Sequence, residues 1–250
     1  TINRDVQWIA AKAIADAVKS SGAANGTVIV MDPKTGQIIA HATAPTFNPN
    51  NTKGVTLDLM RNPSVQDVYE PGSTGKVMTM AAALEEKTVT PTTVFTVPYG
   101  LYRAGKTFHD HERHATQHLT TTGILAVSSN TGSIQVGETL GSEKLYNYLT
   151  KFGIGSKTGS GLSGESAGIL HPVKDWSGTS APTVAFGQGY SLTAMQATSV
   201  FATIANGGVR VSPTVIAGTS DSSGHFTPAG NRDSVRVVSE ETAAKLRIMM

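Results

Sequence analysis

The sequence predicts a mixed α/β (α+β) fold in which helices supply most of the packing surface, and three observations carry that expectation. Two β-rich runs, 27–31 and 37–42, flank the turn Asp32-Pro33-Lys34-Thr35-Gly36, the pattern of an antiparallel hairpin. Apolar residues recur at helical spacing over 3–20 and again over 193–205. Glycine (26 residues) and proline (11) are frequent enough to punctuate many short elements without making the 250-residue chain low in complexity.

Taken in order, the first helix places Val6, Ile9, Ala10, Ala13, Ile14, Ala17 and Val18 on one face, and Gly22 supplies its stop. The first strand of the hairpin is nearly all apolar, so it is expected inside a sheet covered on both faces. Residues 45–67 are rich in Asn, Pro and Thr and read as an irregular surface excursion. Pro71 and Gly72 break the chain, and the Ala-rich run after them reads as a helix starting near Ser73. Residues 88–118 read as a second irregular excursion holding a short hairpin, with strand character at 93–97. Thr120 to Thr122 offer an N-cap to an apolar helix that stops near Ser128, because Ser-Ser-Asn-Thr-Gly is turn chemistry. An amphipathic helix over 145–152 precedes a glycine-rich loop at 153–165. A helix from 193 is stopped by Asn206-Gly207-Gly208, a short strand with a hairpin-like stretch runs to about residue 230, and a last helix begins at Ser239.

Composition narrows the function classes. A net charge of +2 without a dense basic run gives no footprint for nucleic acid. The absence of cysteine removes disulfides, thiol catalysis and cysteine-ligated zinc. No apolar run reaches the roughly 20 residues that span a bilayer. His109, His111, His114 and His118 crowd one excursion, but Asp110, Glu112 and Arg113 share the run and no apolar shell surrounds it. A polar surface loop, not a metal site, is the expectation.

Two pairs carry chemistry. Ser73 and Lys76 lie three residues apart at a helix start, so their side chains share a face, as a serine nucleophile and a lysine base require. Ser128 and Asn130 lie in a polar turn at the end of a buried element, which gives a site rigidity. Each pair alone is ordinary, one as a helix cap and the other as a helix terminus. Together, S-x-x-K and S-x-N are two of the three motifs that mark penicillin-binding proteins and class A β-lactamases.

On these motifs the chain resembles the transpeptidase domain of class B penicillin-binding proteins. Tyr69-Glu70-Pro71-Gly72-Ser73, Ser128-Ser129-Asn130-Thr131-Gly132, Asp32-Pro33-Lys34-Thr35-Gly36, Phe186-Gly187-Gln188-Gly189 and Ile204-Ala205-Asn206-Gly207-Gly208 extend the likeness along the chain. The resemblance implies a serine β-lactamase/transpeptidase-like fold, an antiparallel sheet flanked by helices plus a mostly helical subdomain. It also implies a peptidoglycan D,D-transpeptidase that cross-links stem peptides through a Ser73 acyl-enzyme and is inhibited by β-lactams. Lys76 would be the base, Ser128 a proton carrier and Asn130 a ligand-amide contact, with no cofactor and no metal. Implied partners are D-Ala-D-Ala stem peptides, β-lactam antibiotics and membrane-embedded cell-wall synthesis proteins. The implied location is the extracytoplasmic face of the cell membrane.

A third family motif, Lys-Thr/Ser-Gly, belongs on a strand beside the nucleophile. Lys157-Thr158-Gly159 matches it in letters only, since it sits in the glycine-rich loop 27 residues after Asn130. The expectation is that residues 1–250 form one transpeptidase domain whose remaining sheet strands and third motif lie beyond Met250. Two rivals share the acylation step. A serine β-lactamase needs a deacylating carboxylate or modified lysine that no motif here identifies, and a non-catalytic penicillin-binding sensor would never turn over.

Overall fold

Asp32 accepts from the Lys34 amide at 2.8 Å and Gly36 takes φ +72°, so the turn between them folds the chain back as its residues dictate. The computed structural model describes residues 2–230 and 232–250. Helix α1 (Arg4–Ser21), capped by Asn3 and ended by Gly22 at φ +68°, leads into strands β1 (Gly26–Met31) and β2 (Ile38–Ala44), which pair antiparallel. Side chains alternate across this hairpin. Val28, Val30, Ala40 and Ala42 meet Val6, Ala10 and Ile14 of α1, while Ile29, Met31 and Ile38 point to the opposite face.

The hairpin therefore has both faces covered, as its apolar strand predicts. Among the described residues β1 pairs with β2 alone. The helix face is also narrower than expected: Ile9 is 59% exposed, because α1 meets only a two-stranded platform through Val6, Ala10 and Ile14.

The 45–67 excursion holds two single-turn helices, α2 (Leu57–Met60) and α3 (Pro63–Gln66), the second capped by Asn62. A 3-10 turn (Gly72–Gly75) then runs into helix α4 (Lys76–Glu85). Nine of the ten residues of α4 are buried, Lys76 among them, and a helix apolar all round belongs in a core. Strands β3 (Val94–Val97), β4 (Gly100–Arg103), β5 (Lys106–His109) and β6 (Gln117–Thr120) give the second excursion more order than its composition suggests. The β4–β5 hairpin is nested inside the β3–β6 pair.

Helix α5 (Thr121–Ala126), α6 (Asn130–Leu140) and α7 (Ser142–Lys151) pack around α4. After the glycine-rich loop come a 3-10 turn (Val173–Asp175), α8 (Ser180–Ala185) and α9 (Ala194–Ala205), the last opened by a capping box between Thr193 and Gln196. Strand β7 (Val209–Val211) pairs with β10 (Ser234–Arg236), enclosing the hairpin of β8 (Gly218–Ser220) and β9 (Phe226–Pro228). Helix α10 (Glu240–Met249) closes the order and packs on α4 and α9. The main core runs through α4 to α7, α9 and α10, with Met78, Met80, Leu145, Leu149, Ile204 and Leu246 almost wholly buried.

The segment between α8 and α9 is laced to the start of α4. Thr79 Oγ1 donates to the Ala185 carbonyl (2.8 Å), the Gly72 amide donates to the Gly187 carbonyl (2.8 Å), and the Gly189 amide donates to Glu70 (2.8 Å). Gly187 sits at φ +93°, and a Cβ there would stand 1.8 Å from the Gly72 carbonyl oxygen. Both the dihedral and the close approach require glycine. Gly187→Ala is accordingly expected to lower stability by about 1–3 kcal/mol, read as a shift of the urea midpoint at unchanged slope. An unchanged midpoint would show that the two segments are not locked together.

Candidate active site

A cleft of about 720 Å³ opens where the 3-10 turn, the α5–α6 junction and the loop after β5 meet, and Ser73, Ser128, Asn130 and Gln188 all line it. Sequence reasoning expected the first three, and they arrive from three different elements. Ser73 is exposed on the 3-10 turn that begins the α4 helix, so its hydroxyl faces solvent. Lys76, three residues on, is 0% exposed.

An ammonium without water must find acceptors or lose its proton. Lys76 Nζ finds two, the backbone carbonyl and the hydroxyl of Ser128, the latter at 3.1 Å. Burial lowers the Lys76 pKa from 10.5 to about 8, against a smaller raising effect from the Asp110 carboxylate. The shift has a kinetic meaning. Near pH 7.4 about a fifth of molecules hold a neutral amine at that pKa, against about one in a thousand for an ordinary lysine.

Ser128 itself occupies an unusual backbone state, φ +57°, which L-residues avoid. The conformation turns its carbonyl and hydroxyl together onto the Lys76 amine. The expected helix end is thus a junction: α5 stops at Ala126, and Asn130 is the first residue of α6 rather than the last part of α5. Ser129 is the N-cap, its hydroxyl accepting from the Gly132 amide at 2.8 Å, which frees Asn130 to enter the next helix. The Asn130 side chain donates to the His109 carbonyl (3.0 Å), which fixes the amide at the cleft wall.

Several cleft residues come from the histidine-rich run that the sequence places in a polar surface loop. His111, Glu112 and Arg113 line the cleft together with Ser73. Asp110 lines it too, 9% exposed, and accepts from Ser129, the Asn130 and Thr131 amides, and His114. Burial pushes the Asp110 carboxyl up, but these donors outweigh it and hold the group below the usual carboxylate range. An Asp inside a polar loop looks like solvated surface, and nothing local marks it as the partner of a turn 20 residues later.

The histidine-rich run is held by hydrogen bonds. His114 Nε2 bonds Asp110 (3.0 Å), and His118 Nδ1 bonds Thr96 (3.3 Å) across the β3–β6 pair. His114 and His118 share no helix face, since residues from Gln117 onward are strand.

Lys157-Thr158-Gly159 does not line the cleft. Its loop closes on Glu165, which accepts from Thr158 Oγ1 (3.2 Å), the Gly159 amide (3.1 Å), the Ser160 amide (2.8 Å) and the Ser160 hydroxyl. Burial raises the Glu165 pKa, and these donors more than reverse it, so the carboxyl titrates below its usual range.

Residues 26–250 match the family model for the penicillin-binding protein transpeptidase domain. Penicillin-binding protein PbpB of Mycolicibacterium smegmatis is 40% identical over 250 residues, covering 100% of this chain and 39% of that protein. Peptidoglycan D,D-transpeptidase FtsI of Escherichia coli is 34% identical over 210 residues, covering 84% of this chain and 35% of that protein. A crystal structure of penicillin-binding protein 3 from Mycobacterium tuberculosis, complexed with aztreonam, superposes at a TM-score of 0.96 with 38% identity. That match covers 100% of this chain and 56% of the other. The chain therefore spans less than half the length of these two curated relatives.

Two measurements follow from the site. Titration of the lysine Cε resonances by NMR should show one residue, absent in Lys76→Arg, with a midpoint near 8. A midpoint at the ordinary lysine value would mean the amine is not buried in solution. Glu165→Gln should lower the melting temperature at neutral pH. A carboxyl depressed on folding stabilises above its unfolded pKa and loses that contribution as pH falls through its folded pKa. The gap between variant and wild type should thus close on acidification through the acid range. A gap constant with pH would remove Glu165 as the organiser of this loop.

Proposed function

This chain belongs to the penicillin-binding protein transpeptidase family, and from that premise we propose that it is the acyl-transfer domain of a peptidoglycan D,D-transpeptidase. The observation that carries the reading is an exposed Ser73 lining the same cleft as Ser128, with Ser128 bonded to the buried, pKa-lowered Lys76 three residues after Ser73.

In the proposed reaction, neutral Lys76 takes the Ser73 proton as Oγ attacks the carbonyl between two D-alanine residues. The Ser73 amide lies in the first turn of a helical segment, where N–H groups lack an intrahelical acceptor, and is one donor to the developing oxyanion. As the C–N bond breaks, Ser128 delivers a proton from Lys76 to the leaving amine, and terminal D-alanine departs. The ester on Ser73 is then attacked by an amine of a second stem peptide. That step forms the cross-link and returns the proton through the same relay. A β-lactam enters by the same first step, but its leaving nitrogen stays tethered and the ester persists. Asn130, fixed by the His109 carbonyl, would contact the acyl side-chain amide of either ligand.

We extend the proposal to the rest of the protein. Among the described residues every sheet has two strands, which supports a Lys-Thr/Ser-Gly strand and a larger sheet contributed by chain outside residues 1–250. No helix among the described residues is long and apolar enough to cross a membrane. An extracytoplasmic site of action, with membrane-embedded cell-wall synthesis partners, rests on the family alone.

A fluorescent penicillin should label the full-length protein, with the adduct mass on the peptide containing Ser73, and should not label its Ser73→Ala variant; the 250-residue piece alone, without the third motif, is not expected to react at the full rate. A β-lactamase would release the label within one assay, whereas the transpeptidase reading expects an adduct that survives denaturing electrophoresis. Labelling that persists in Ser73→Ala would defeat the proposal, and so would no labelling of the folded full-length protein.

A further inference from the structure

We propose that Asp110 is a positioning residue of this site, a buried carboxylate that holds the Ser128–Asn130 turn in register with Ser73 and sets the charge balance around Lys76. The inference deepens the acyl-transfer reading and rests on it.

The geometry is that of a hub. Oδ1 accepts from the Asn130 amide and, at 2.9 Å, from the Thr131 amide, the first two N–H groups of α6. Oδ2 accepts from the Ser129 hydroxyl at 2.7 Å, from Thr131 Oγ1 at 3.3 Å and from His114 Nε2 at 3.0 Å. One carboxylate thus satisfies two amides that a helix start leaves orphaned, and it does so from a different segment of the chain. The Ser129 hydroxyl accepts instead from the Gly132 amide, one residue further into the helix.

Consequences run to both sides. On the α6 side, the bonds fix the residues immediately after Ser128, whose φ of +57° needs support from its surroundings. On the α4 side, the carboxylate is the charge that opposes the desolvation of Lys76. The titratable and charged groups around Asp110 can be named. His114 bonds it from its own loop and Lys76 faces it from α4. His111, Glu112 and Arg113 follow on the cleft rim. The Tyr99 ring packs against His109 (4.9 Å) and His114 (6.0 Å), with the Arg113 guanidinium 5.8 Å from its centre.

This stack explains why the loop is ordered enough to aim a carboxylate. The Asp110 amide also donates to the Tyr99 carbonyl at 3.0 Å, anchoring the backbone at the same point. Asp110 lines the same cleft as Ser73, and its hydrogen bonds run to the Ser129–Thr131 turn and to His114, so its influence on Ser73 passes through the turn and through Lys76.

The test compares wild type, Asp110→Asn and His114→Gln in three readouts on the full-length protein. Asp110→Asn should reduce the second-order rate of penicillin acylation by about tenfold to a hundredfold, the scale of an active-site group displaced by an ångström. It should also accelerate hydrogen exchange at the Asn130 and Thr131 amides. Loss of the nearby negative charge should move the Lys76 titration midpoint below its wild-type value of about 8. A merely structural role would lower the melting temperature and leave that midpoint in place. His114→Gln keeps the carboxylate, so Lys76 should titrate at or above the wild-type midpoint.

Wild-type acylation in Asp110→Asn would overturn the proposal, as would an unmoved Lys76 midpoint in a folded Asp110→Asn. If that variant does not fold, a lowered midpoint in His114→Gln overturns it and an unlowered one supports it. If the wild type takes no penicillin, the acyl-transfer reading fails, while the lysine titration and the amide exchange still decide whether Asp110 governs the turn and Lys76.

Discussion

A single buried amine sets the conditions for the rest of this structure. Lys76 is 0% exposed in the first turn of a core helix, where a full positive charge without partners would cost several kcal/mol. Two outcomes are open to such a group, capture by acceptors or loss of its proton, and this site uses part of each. The Ser128 carbonyl and hydroxyl capture it, and the remaining desolvation brings its pKa to about 8. That displacement corresponds to about 3 kcal/mol of preference for the neutral form. Without the burial that α4 and its neighbours supply, Lys76 would be a solvated cation and no base.

The same demand shapes the backbone. Ser128 adopts φ +57° because both its carbonyl and its hydroxyl must reach the amine, and α5 must therefore end at Ala126. Helix α6 then needs a new start, supplied by Ser129 as cap and by Asp110 from the adjoining loop. On the other flank, the α8–α9 segment is tied to Gly72 and Glu70, which fixes the turn carrying Ser73. Ser73 and Lys76 share one helical segment, so little further freedom remains between them.

Much of the local structure was legible in the residues. The hairpin at 27–42, the α4 start near Ser73, the helix from Thr193 and the surface excursion at 45–67 follow from turn residues, caps and periodicity, which act over a few positions. The misread elements share a cause. Ile9 has helical periodicity but stays 59% exposed among the described residues, since the width of a buried face depends on what lies opposite. The Ser128–Asn130 turn was read as a helix end because its second role, opening α6, depends on partners elsewhere. Order in the 88–118 excursion beyond its short hairpin comes from β3 and β6, which pair Thr96 with His118, 22 positions apart, a register that local composition does not encode.

What the sequence determined by itself is the chemistry: a hydroxyl three residues from an amine, a Ser-x-Asn turn, no thiol, and the motif order that identifies the family. Spacing within one helix is covalent geometry, so Ser73 and Lys76 are neighbours before anything else folds. What only the tertiary structure decided is whether that chemistry is competent. The depth at which Lys76 is buried, the 52-residue link from its amine to Ser128 and the hub at Asp110 all arise from segments distant in sequence. The same holds for Lys157-Thr158-Gly159, a motif by its letters that Glu165 holds in a loop away from the cleft. A pKa is a property of surroundings, and surroundings exist only once the chain has packed.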